Sequence, residues 1–135
     1  MVLTLATLDR AAVGRGALGV VMFVAPVVAL TIALAGGDES SSAWLLVAAA
    51  VLFAATFGGY VAAHDRPVTP MAHGAAAAAV GLSVCFVVAL AVQAAQGDLT
   101  LAATFTAVVF VQIGAALGCL GALLAVKGLR RGVRS

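Results

Sequence analysis

Charge is what this sequence has least of. Seven Lys and Arg and five Asp and Glu make up 9% of its 135 residues, against about 25% in an average soluble domain. So little charge excludes a soluble enzyme, a basic nucleic-acid reader and a disordered polar segment. Two cysteines are too few to staple a secreted module. Several chemical signatures are also missing. There is no Gly-x-Ser-x-Gly elbow, no His-Glu-x-x-His zinc helix and no set of spaced aspartates of the CDP-alcohol phosphotransferase kind. A proton-coupled exporter of the small multidrug-resistance type needs a carboxylate within its first membrane helix, and none stands there.

What the chain has instead is apolar length: 64% hydrophobic residues and a mean hydropathy of +1.22. About 20 apolar residues carry a helix across about 30 Å of hydrocarbon. Such stretches occur at 16–35, 43–63, 70–95 and 101–126, which predicts an all-α bundle of four transmembrane helices in one domain, 1–135. The connections between them are short, so consecutive helices are antiparallel neighbours and no extramembrane domain fits between them.

Orientation follows from the cations, which short flanking segments retain on the cytoplasmic side. All seven fall before the first span (Arg10, Arg15), in the middle connection (Arg66) or after the last span (Lys127, Arg130, Arg131, Arg134). Both termini are therefore expected to be cytoplasmic, and the two acidic connections, with Asp38, Glu39 and Asp98, on the other side. Residues 1–12 are expected either to lie along the inner surface as a short helix or to fray. Trp44 and Tyr60 fall at the two interfaces, where amphipathic rings are favoured. Thr69 before Pro70 predicts a hydroxyl N-cap on the third helix, with Ser42 and Asp98 or Thr100 serving the second and fourth.

A gapless shift of 60 residues lays 14–66 on 74–126 with 16 identities in 53 positions, among them Val27-Val28-Ala29-Leu30 on Val87-Val88-Ala89-Leu90 and Gly37-Asp38 on Gly97-Asp98. An excess over chance at a fixed offset is the mark of a repeat. The expected architecture is two tandem parallel two-helix units related by a pseudo-two-fold along the membrane normal.

Lipid is as apolar as the helices, so their association depends on close packing at small residues. Ala50, Ala54, Gly58 and Ala62 on the second helix match Gly114, Gly118 and Ala122 on the fourth. Ala17, Ala25, Ala29 and Ala33 on the first, and Ala77, Gly81, Cys85 and Ala89 on the third, complete four stripes expected to face inward. Pro26 lies mid-span and should bend the first helix, because it has no amide proton to donate to the Met22 carbonyl.

Polar candidates are sparse. Gln112 is the most polar mid-span residue, and with Ser83 it could form an interhelical hydrogen bond; structural glue is the favoured reading, a path near Gln112, Ser83 and Pro26 the alternative. His64, Asp65 and His73 flank the middle connection and could supply three metal ligands or a surface catalytic set, although loop histidines at a membrane surface are usually solvated. No cofactor or metal is expected. Cys85 and Cys119 differ in depth by about 9 Å, too far for a disulfide. Lys127, Arg130, Arg131 and Arg134 suit anionic lipid headgroups.

Phe57-Gly58-Gly59-Tyr60-Val61-Ala62-Ala63, followed after a Pro-containing connection by His73-Gly74-Ala75, resembles a family of small uncharacterised four-helix integral membrane proteins of Gram-positive bacteria. The second helix of that family ends in Gly-Gly-aromatic-x-Ala and the third begins with His-Gly. The resemblance implies the four-helix fold and a bacterial inner membrane. The leading expectation for function is a non-catalytic protein working through its helix faces, as an accessory subunit or a homo-oligomer. A small transporter or channel, or a membrane enzyme, stands as the alternative.

Overall fold

A computed structural model describes residues 8–35, 42–64 and 68–132, the last four by backbone alone. It contains four helices: α1 (Arg10–Ala35), α2 (Trp44–His64), α3 (Pro70–Gln96) and α4 (Leu101–Gly132). All four are long and apolar enough to cross a membrane. The protein is an all-α bundle, as its hydropathy predicts.

Helix ends show why the boundaries fall where they do. α1 begins six residues earlier than the apolar run, taking in Arg10 and Arg15. Its start is set by capping, since Asp9 Oδ1 accepts from the amides of Ala11 (2.8 Å) and Ala12 (3.3 Å). Residues 10–12 are thus continuous with the first membrane helix and form no separate surface helix; residues 1–7 lie outside the described residues. Thr100 caps α4 as expected, its Oγ1 accepting from Ala103 N at 3.1 Å. Ser42 serves α2 through its carbonyl, which accepts from Leu45 N at 3.0 Å.

Thr69 departs from expectation. It adopts φ 55°, ψ 46° and its hydroxyl caps no amide, because the same residue is committed to His73, described below. At the other end of α3, Gly97 takes φ 79° and its amide returns to Ala94 O, a turn that a glycine adopts without steric cost.

In cross-section the helices form a rhombus. α2 and α3 pack along the short diagonal and each also packs against α1 and α4, whereas α1 and α4 do not meet among the described residues. This arrangement corrects the expected symmetry. A two-fold exchanging α1 with α3 and α2 with α4 would carry the α2–α3 contact onto α4–α1, which is absent among the described residues. The two helical hairpins lie side by side, displaced, as a parallelogram rather than around an axis.

Burial is concentrated towards the end of the bundle where α1 and α3 start and α2 and α4 finish. Buried positions there include Ala12, Gly16, Ala17, Val20 and Val24 on α1, and Ala54, Ala55, Gly58, Gly59, Ala62 and Ala63 on α2. On α3 no residue beyond Leu82 is buried. The inward stripes follow this gradient. Ala54, Gly58, Ala62, Gly81, Gly114, Gly118 and Ala122 are buried as expected, while Ala50 is only half-buried. Ala25, Ala29 and Ala33 on α1 and Ala89 on α3 are exposed; they belong to the far half, where the helices present fewer sides to one another. Pro26 is exposed too, and α1 runs through it as one helix.

Candidate functional site

The near end of the bundle is built on backbone approach. A methyl placed at Gly58 would come within 2.8 Å of Gly16 O, and one placed at Gly16 would come within 2.5 Å of Gly58 O and 2.9 Å of Ala62 Cβ. The second hairpin uses the same device: a methyl at Gly74 would meet Gly118 O and lie 2.9 Å from Ala122 Cβ, and one at Gly118 would meet Gly74 O. Gly59 of α2 also faces the backbone of Gly118, and Gly121 faces the Thr56 carbonyl. Small residues let backbones close to this distance, where dispersion contacts and Cα–H···O contacts replace the missing hydrophobic drive.

The two crossings correspond as Gly16/Gly58/Ala62 with Gly74/Gly118/Ala122. That is an offset of 60 for α2 and α4, but of 58 for α1 and α3. The gapless alignment instead pairs Gly74 with Gly14, which has nothing within 4 Å of an added methyl. Gly16, Gly59, Gly74 and Gly121 were not among the expected packing residues. Their signal was present as glycines one helical turn from another small residue, but the alanine-rich background hid it.

Among these glycines sits the one buried imidazole. His73 is 3% exposed, and both ring nitrogens are occupied: the Asp9 amide donates to Nε2 at 3.0 Å, and Nδ1 lies 3.0 Å from Thr69 O. An amide can only donate, so Nε2 is the acceptor and the proton is assigned to Nδ1, which donates to the Thr69 carbonyl. The neutral ring thereby clips the cap residue of α1 to the first turn of α3. The reading of His73 as a solvated loop residue is corrected, since the early start of α1 brings Asp9 over it.

The suggested three-ligand set is not assembled. His64 is exposed on α2 and stacks on Tyr60, ring centroids 5.6 Å apart. His73 has no lone pair to spare, and Asp65 lies outside the described residues. No group of three His, Cys, Asp or Glu side chains that could hold a metal occurs among the described residues.

The polar mid-span residues are not assembled either. Gln112 is exposed on α4 and makes no hydrogen bond among the described residues, and Ser83 is half-buried on α3. Pro26 and Gln112 stand on helices that do not touch. The structure therefore brings neither the expected interhelical bond nor the three residues of a shared path together. Cys85 and Cys119 are both free, and the Cys119 thiol donates to Met71 O at 3.6 Å.

The surface of the near end is basic. Arg10, Arg15 and Lys127 are exposed there, and the backbone of Arg130 and Arg131 continues α4 beyond it; Arg134 lies outside the described residues. Between α1 and α2 a groove of about 340 Å³ is lined by Arg15, Tyr60, Val61 and His64.

These features define the class: an all-α, multi-pass four-helix membrane protein whose helices are sealed at one end by glycine crossings. Comparison with known proteins finds no matching family model, no matching curated protein and no matching solved structure.

Proposed function

We propose that this chain is a non-catalytic protein of the bacterial inner membrane, with both termini cytoplasmic, that works through helix–helix contacts as an accessory subunit of a membrane complex or as a homo-oligomer. The observation that supports this reading is Gln112. It lies 11 residues into α4, about 17 Å along the helix axis, which is close to the middle of about 30 Å of hydrocarbon. It is exposed there on the outer surface of the bundle. A primary amide facing lipid leaves two donors and an acceptor unsatisfied, and desolvating them costs on the order of 1–3 kcal/mol. A partner helix supplying its own polar group removes that cost, and a second copy brings another Gln112, an amide that both donates and accepts.

The less buried far half adds to this. α3 beyond Leu82 has no buried residue, and it offers small side chains at Ala89, Ala91, Ala94 and Ala95 on which another helix could close.

The test is Gln112→Leu, examined by mass determination in mild detergent. The substitution should convert an assembled species to the lone chain while helicity and unfolding stability are kept. A wild-type chain that purifies alone and without partners, or a Gln112→Leu chain that assembles as before, would overturn the proposal.

A further inference from the structure

The groove between α1 and α2 continues as a lane. On α2, Phe53, Phe57, Tyr60 and His64 are spaced at one-turn intervals, so they share one face. On α1, Arg15, Gly19 and Phe23 do the same. The two faces abut: the Phe57 ring would lie 3.7 Å from a methyl placed at Gly19, and Phe23 stands 5.1 Å from Phe53 and 6.0 Å from Phe57 between ring centroids. All of these side chains except Gly19 are exposed. Along about 12 Å of helix axis, eight residues from Arg15 to Phe23, the surface changes from guanidinium, phenol and imidazole to three phenyl rings.

We propose that this lane is a binding site for one anionic phospholipid, with its phosphate in the groove at Arg15, Tyr60 and His64 and an acyl chain along Phe57, Phe23 and Phe53. Three lines of chemistry lead to that occupant. Arg15 offers five N–H donors in a fixed fork suited to phosphate oxygens, and keeps donors to spare when one is already engaged. The Tyr60 hydroxyl adds a donor beside it, and Val61 gives the groove an apolar wall. The phenyl lane has no use for a free anion, whereas it offers a hydrocarbon chain a rigid surface that starts where the polar groove ends. The site goes beyond the assembly proposed above. It lies on the α1–α2 face, whereas Gln112 stands on α4, and α1 and α4 do not meet, so either proposal can fail alone.

The experiment uses the full chain, delipidated in a nonionic detergent, and measures Tm by the loss of helical circular dichroism while lipid is titrated. Short-chain phosphatidylglycerol should raise Tm saturably, and native mass spectrometry should show one retained copy per chain. Phosphatidylcholine should bind more weakly, and sodium phosphate should leave Tm unchanged. Arg15→Gln should weaken phosphatidylglycerol binding about tenfold, the size of one lost charge-assisted contact. Phe53→Ala should weaken it less, and Lys127→Gln, at the same end but outside the groove, should leave it unaltered. If Arg15→Gln does not fold, Tyr60→Phe carries the test, with a loss of about threefold to tenfold. Undiminished binding in the groove variants would overturn the proposal. So would an equal loss in Lys127→Gln, which would mean surface charge alone, or a Tm rise with sodium phosphate, which would mean a free-anion site.

Discussion

The two halves of this bundle solve the same problem differently. At the near end, glycines face carbonyls across four helix pairs, and the buried residues are almost all Gly, Ala and Val. In the far half Thr31 and Ala107 are buried, but most contacts are made by larger, partly buried groups such as Val28, Val47, Cys85, Phe86 and Phe110, and the helices keep more surface outside. Phe86 and Phe110 meet with ring centroids 6.0 Å apart. In water the far half would be the unstable part, but in lipid exposed Leu and Phe cost nothing and only close approach stabilises the bundle. Close backbone packing is thereby concentrated at one end and exposed helix surface at the other.

Substitution can break or sharpen this contrast, and the largest effect is expected at the glycine node. Gly118→Ala places a methyl against Gly74 O and within 2.8 Å of Ala78 Cβ. Both neighbours are rigid, so overpacking should cost about 2–3 kcal/mol, read as a lowered midpoint in denaturing-detergent titration. An unchanged midpoint would mean that α3 and α4 stand further apart than described.

His73→Ala comes next. It removes the clip on Asp9 without touching a glycine seam, and the amide left without an acceptor should cost about 1–2 kcal/mol. Hydrogen exchange should localise the change to the first turns of α1 and α3. A uniform change over the whole bundle would show that the near end does not owe its order to this ring.

Ala89→Leu should have the smallest effect. The residue is exposed in the far half, and the lone chain should stay within about 0.5 kcal/mol of wild type. A larger loss in the lone chain would make the far half as tightly packed as the near end and erase the comparison.

Some of this architecture is legible before folding. Hydropathy alone locates four helices, because a backbone in hydrocarbon must satisfy its own hydrogen bonds and only a long helix does so. It misplaces the start of α1, because Arg10 and Arg15 lower the hydropathy of a turn that Asp9 nonetheless caps. Stripes on α2 and α4 were readable where glycine interrupts the alanines, at Gly58, Gly114 and Gly118. Those of α1 were not: Ala25, Ala29 and Ala33 share the spacing of packing residues yet face outward. A membrane helix is apolar on every side, so no polar face marks its exterior.

Sequence by itself therefore determined the solvent of this protein, the number of its helices and most of their ends, since these depend on length and on transfer from water to hydrocarbon. Only the tertiary structure decided which glycines seal the bundle, that α1 and α4 stay apart, that His73 is buried and that Gln112 is outside. Those outcomes depend on how closely two backbones can approach across a crossing, a property of pairs of helices that one helix read alone does not contain.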